Sequence, residues 1–120
     1  MLYYIIIGRD KADSEKFGYK GLIYLGKGYV SMGNYTSLSN LIWLDVARSH
    51  VILISGKRGS GKSYSIGVIA EELSDLPPEV RGSIAPLIFD TMGIFWTMKF
   101  KNEKDFDLLE KWGLKSKNLP

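Results

Sequence analysis

Residues Gly56 to Ser63 read GKRGSGKS: a glycine, four residues, a second glycine, a lysine and a serine. Gly56, Gly59 and Gly61 let the backbone turn sharply and aim successive N–H groups at one point, which makes an anion nest. Lys62 supplies a point charge for the outer phosphates of a nucleoside triphosphate, and the Ser63 hydroxyl suits the Mg²⁺ that accompanies them. A helix starting near Lys62 adds the positive end of its dipole. The candidate nucleotide contacts are Gly56, Lys57, Arg58, Gly59, Ser60, Gly61, Lys62, Ser63 and Tyr64, with Ser60 contributing its backbone. Lys57 and Arg58 give the mouth a positive field. Arg58 has two readings, a phosphate or neighbouring-subunit contact and a solvated loop arginine. Tyr64 either touches the nucleotide or packs beside it.

Turnover asks for more. An acidic group at the end of a neighbouring strand must hold the water shell of the metal. Asp90, which closes LIFD, is the candidate and is paired with Lys62 as a catalytic residue. Three roles are open to it: the metal shell, support of the site, or a plain strand-end turn.

These residues need elements to position them. Val51 to Ser55, VILIS, is a continuous apolar run of the kind buried on both faces of a parallel sheet. Past the loop, Ile66, Ile69, Leu73 and Leu76 share one stripe of a helix that Pro77 and Pro78 stop. Ala85 to Asp90 reads as a second buried strand, so strand, helix and strand form a right-handed βαβ unit. Asn102 is placed to cap a helix with Phe106, Leu109 and Trp112 on one face, and Gly113 to end it.

The first third of the chain is different. It predicts short strands at Leu2 to Ile7, Gly21 to Leu25, Tyr29 to Met32 and Leu41 to Leu44, cut by glycines as in a small barrel or sandwich. The charged stretch from Arg9 to Lys20 has no apolar period and reads as an exposed loop. Thr36 to Asn40, TSLSN, reads as a polar connection, and a domain junction falls at Asp45 to Ser49, with Trp43 beside it.

Composition narrows the functions. With 120 residues, 45% hydrophobic and 12% aromatic, the chain can build one domain or two small ones. The absence of cysteine excludes disulfides and thiol catalysis, and a single histidine excludes a histidine-clustered metal site. A net charge of +3 is too slight to argue for a nucleic-acid partner. No apolar run approaches the ~20 residues of a membrane span, and the first ten residues lack the marks of a signal peptide. A soluble, cytoplasmic protein with no membrane partner is expected. Trp96, Phe100 and Trp112 with Lys99 and Lys101 read either as core or as a stacking surface for single strands, core packing being preferred.

The stretch ARSHVILISGKRGSGKSYSIGVIAEEL, Ala47 to Leu73, together with LIFDTMGIFW, Leu87 to Trp96, resembles ATPases of the HerA type within the HerA and FtsK superfamily. That resemblance covers most of the chain. His50 has two readings, a general base and a packed or hydrogen-bonded junction residue, the second being preferred, and it matches a histidine that commonly precedes the first core strand of that family. Asp90 and Gly93 match the turn after the second strand, while Thr91, Met92 and Ile94 depart from it. The resemblance implies an α/β fold in which a small N-terminal β-barrel, residues 1–49, precedes the first strand–helix–strand part of a P-loop NTPase, RecA-like core, residues 50–120. Two strands of a sheet that should have five or more point to the front part of a longer protein. The resemblance further implies ATP and Mg²⁺ as ligands, a homo-hexamer, double-stranded DNA as the translocated substrate and a nuclease partner in end processing. Two alternatives stand beside it: a HerA-like motor acting on a non-DNA substrate, and a nucleotide-binding module without turnover.

Overall fold

A computed structural model describes residues 4–119. The chain divides into two compact units, Met1–Ser55 and Gly56–Pro120.

The first unit is a mixed three-stranded sheet with a helix. Strand β1 spans Ile5–Ile7, helix α1 Lys11–Phe17, β2 Leu22–Ser31 and β3 Thr36–Asp45. The sheet order is β1-β3-β2, with β1 parallel and β2 antiparallel to the central strand. Ile5, Ile6 and Ile7 pair with Ile42, Trp43 and Leu44, and Ile23 and Tyr24 pair with Leu44 and Trp43 from the other side. Alternation therefore puts Ile7, Leu44 and Ile23 on one face and Ile6, Trp43 and Tyr24 on the other. Leu22, Ile23 and Leu44 form the buried apolar centre.

Several expectations are corrected here. The sheet is open, not a closed barrel. Of the strand expected at Leu2 to Ile7, Ile5–Ile7 is a strand, and Leu2 and Tyr3 lie outside the described residues. The two strands expected at Gly21 to Leu25 and Tyr29 to Met32 are one strand. Register shifts between Tyr24 and Gly26 and between Lys27 and Tyr29 show why: the glycines sit at bulges that bend the strand without ending it. TSLSN is not a connection but the first half of β3, since Thr36, Ser37 and Leu38 pair with Ser31, Val30 and Tyr29. The connection lies just before it, where the Met32 N–H donates to Tyr35 O over 2.8 Å around Gly33 at φ 75°. Trp43 belongs to the sheet, with its ring 6.4 Å from Tyr4 and 5.4 Å from Tyr24.

The expected loop at Arg9 to Lys20 contains α1. Asp10 caps it, accepting from the Asp13 N–H at 2.7 Å, and Gly18 at φ 57° ends it.

The second unit carries helix α2, Lys62–Ser74, the short α3, Pro78–Arg81, a 3₁₀ helix over Phe95–Lys99 and α4, Phe106–Lys111. On α2 the predicted stripe is only partly covered: Ile66 is exposed, Ile69 and Leu73 are half-buried, and the buried positions are Ala70 and, just past the helix, Leu76. The helix closes at Asp75 before the prolines, and Pro78 opens α3 at a first-turn position where its missing N–H costs nothing. Asp105, not Asn102, occupies the cap position of α4; Asn102 instead donates to Asp105 Oδ2 and accepts from the Lys104 and Asp105 amides. Gly113, at φ 73°, closes α4 as expected. Its N–H donates to Glu110 O and that of Leu114 to Leu109 O, the paired bonds of a Schellman stop.

The expected strands Val51 to Ser55 and Ala85 to Asp90 are absent, and with them the βαβ unit. Val51 is fully exposed, and Leu53, Leu87 and Phe89 are nearly so. An extended apolar run becomes a strand when a neighbour takes up its backbone groups, and among the described residues neither segment has a pairing strand.

Candidate functional site

The loop from Gly56 to Gly61 leads directly into α2, whose first residue is Lys62. Its path depends on glycine at named points. Gly59 and Gly61 lie at φ 79° and 90°, left-handed values that side chains disfavour. A Cβ on Gly56 would run into the Ser60 side chain, which would have to move aside. The Ser60 N–H donates to Lys57 O over 3.2 Å and closes the turn.

Lys62 folds back across the loop. Its ammonium donates to Lys57 O over 2.8 Å, which holds the charge over the turn. An ammonium has three protons, so this one bond leaves donor capacity for phosphate oxygens. The start of α2 is also suited to an anion. Gly61 offers no side-chain cap, and the first turn carries no acidic residue. The leading N–H groups therefore have no carboxylate competing with a ligand. Further along, the Ser65 N–H and hydroxyl both donate to Gly61 O, at 3.0 and 3.1 Å, and fix the first turn.

The other predicted contacts flank this arrangement. Lys57, Arg58, Gly59 and Ser60 are exposed on the loop, and Ser63 and Tyr64 are exposed on the first turn of the helix. Among the described residues no group of three His, Cys, Asp or Glu side chains is placed to hold a metal ion. The donor set fits Mg²⁺ in a narrower way: an ion that keeps its waters and arrives with phosphates requires little more than the Ser63 hydroxyl.

Asp90 is committed elsewhere. Its Oδ2 accepts the Phe95 N–H at 2.8 Å. That bond, with further amide bonds from Ile94, Gly93 and Met92, outweighs desolvation and holds its carboxyl below the usual range. The turn so closed brings Phe95 to α2, where a Cβ on Gly67 would meet the Phe95 ring at 3.7 Å. Of the three roles open to Asp90, the geometry displays the turn-organising one. Among the described residues no ion pair joins it to Lys62.

Sequence reasoning missed the polar centre of the first unit. Asp45, 1% exposed, ends β3. Its Oδ1 accepts from Arg9 Nε at 2.8 Å, and its Oδ2 accepts the Arg48 N–H at 3.1 Å and lies 2.7 Å from His50 Nε2. Burial pushes the Asp45 carboxyl up, but the bonds from His50, Arg9 and the Arg48 amide prevail and hold it low. Arg9, fully buried, also donates to the carbonyls of Gly18, Lys20 and Gly21. His50 packs beside Gly8, at φ 84°, where a Cβ would come within 3.0 Å of the imidazole. The signal was present as an arginine two residues past the apolar run of β1 and an aspartate closing that of β3. A concavity of about 190 Å³, lined by Tyr4, Tyr19, Leu22 and Trp43, lies in this unit and includes none of the loop residues.

No helix among the described residues is long and apolar enough to cross a membrane. No protein-family model, curated protein or solved structure matches the chain.

Proposed function

We propose that Gly56 to Ser63 binds the phosphates of Mg-ATP, and that the chain is the nucleotide-binding part of a HerA-like P-loop ATPase. The observation that carries this reading is the loop itself. Its lysine folds over a glycine-bent turn at the mouth of an uncapped, acid-free helix start. In that reading Gly56, Gly59 and Gly61 shape the nest and Lys62 meets the outer phosphates. Ser63 reaches the metal, and Lys57, Arg58, Ser60 and Tyr64 line the approach. The wider assignment, a hexamer translocating double-stranded DNA beside a nuclease, rests on the likeness of Ala47 to Leu73 and Leu87 to Trp96 to that family.

Titration with a fluorescent ATP analogue in Mg²⁺ tests the site. Lys62→Ala should weaken binding more than tenfold with the circular dichroism spectrum unchanged; equal affinity in the variant would remove the site from consideration.

One observation favours a second reading, a nucleotide-binding module without turnover. Asp90 already spends its charge on the amides of its own turn. Phosphate release under saturating Mg-ATP, with and without DNA, separates the two. Release that stops in Lys62→Ala supports the ATPase, and tight binding with no release supports the module.

A further inference from the structure

We propose that the 3₁₀ helix Phe95–Lys99 and the residues just after it form a stacking platform for single-stranded nucleic acid. The segment has an anchored side and a displayed side. Phe95 is anchored, with its N–H on the Asp90 carboxylate and its ring against Gly67 of α2. Trp96 and Phe100 are displayed, 66% and 58% exposed. Their rings meet edge to face with centroids 6.0 Å apart. A 3₁₀ helix repeats every ~3 residues, so Trp96 and Lys99 lie on one face. The Lys99 ammonium sits 5.9 Å from the centre of the Phe100 ring.

This combination selects its occupant. A large aromatic exposed on a turn that is fixed from behind is open to a flat partner. Around it, residues 95–104 carry Lys99, Lys101 and Lys104 against Glu103 alone. An unpaired nucleotide matches both features, its base face stacking on Trp96 and its phosphate meeting the lysines. A duplex keeps its base faces inside the helix, and an apolar protein surface would desolvate three ammonium groups while offering them no charge of its own. Net charge gave no hint of this, because the cations are concentrated in one short segment. No residue of the platform belongs to the phosphate loop, so the proposal stands or falls apart from nucleotide binding.

The test is an anisotropy titration of a labelled oligothymidylate, about twelve nucleotides long, with the full chain, without ATP or Mg²⁺, at two salt concentrations. Trp96→Ala should weaken binding by about 5- to 150-fold, the range for losing one stacked base. Trp96→Phe, which keeps a π-face, should restore most of it. Replacing Lys99 and Lys101 together by alanine should flatten the salt slope by about 1.4. Tyr29→Ala, an exposed aromatic on β2, should bind as the wild type does. Absence of wild-type binding, superimposable curves for Trp96→Ala and wild type, or tighter binding of a duplex that Trp96→Ala leaves intact would each overturn the proposal.

Discussion

Two aspartates in this chain close similar apolar runs, LIWLD at Asp45 and PLIFD at Asp90, and the structure treats them in opposite ways. The first run is the end of β3, where Ile42, Trp43 and Leu44 have a hydrogen-bonded neighbour on each side. Asp45 is buried there, takes the Arg9 guanidinium from 36 positions away and lies against the His50 imidazole. The second run has no pairing strand among the described residues; Leu87 and Phe89 are 79% and 87% exposed, and Asp90 gathers the backbone amides of Met92, Gly93, Ile94 and Phe95. Both carboxyls are held low, one by a long-range ionic network against burial and the other by a local turn. The difference lies in what flanks each run, since strand formation is a property of pairs.

The comparison is broken most directly by removing the carboxylates. Asp45→Ala leaves the Arg9 guanidinium buried with no counter-charge, and losing one partner of such a pair costs about 3–5 kcal/mol. The denaturation midpoint of the first unit should fall sharply, while Asp90→Ala should leave that midpoint where it is. Equal shifts in the two variants would show that Asp45 is no more a structural centre than Asp90.

Acid sharpens the same contrast. The folded Asp45 carboxyl titrates below its ordinary 3.8, so its contribution is complete above that value and is lost as the pH falls through the lower, folded value. Asp13, held low by the Arg48 side chain, and Asp90 lose their contributions in the same direction. Subtracting the stability profile of Asp45→Ala from that of the wild type isolates the first. The difference should shrink steadily as the pH falls below about 4. A difference independent of pH down to 2 would show that Asp45 packs without its charge.

Legibility follows the range of the determining contacts. The glycine-bent turn and the helix start could be read because everything that shapes them lies within ten residues: Gly56, Gly59, Gly61 and Lys62. The Gly113 stop could be read for the same reason. What failed depended on partners outside the segment being read. TSLSN is polar and small, yet it is a strand because Tyr29, Val30 and Ser31 lie opposite it. Val51 to Ser55 is apolar enough for any sheet, yet no described segment pairs with it. The Arg9–Asp45 pair spans 36 positions, and no local pattern announces a contact of that range.

Helix α1 is the exception, a local feature that periodicity nevertheless concealed. In KADSEKF the apolar residues are Ala12 and Phe17 alone, so no stripe forms and the helix has no buried residue. Its ends and its charges hold it instead. Asp10 accepts the Asp13 N–H, Gly18 provides the stop, Arg48 pairs with Asp13, and the cations of Arg9, Lys16 and Arg48 sit 5.3–5.8 Å from the Phe17 ring. A helix of this kind should respond to its cap more than to its apolar residues. Asp10→Ala is therefore expected to cost about 1 kcal/mol, less than the loss of Asp45, and to unprotect the amides of residues 11–17 in hydrogen exchange while those of β2 and β3 stay protected. Asp10→Asn, which keeps the accepting oxygen, should restore the protection. If Asp10→Ala exchanges like the wild type, the ion pair and the Phe17 contacts suffice, and the cap is an accessory to them.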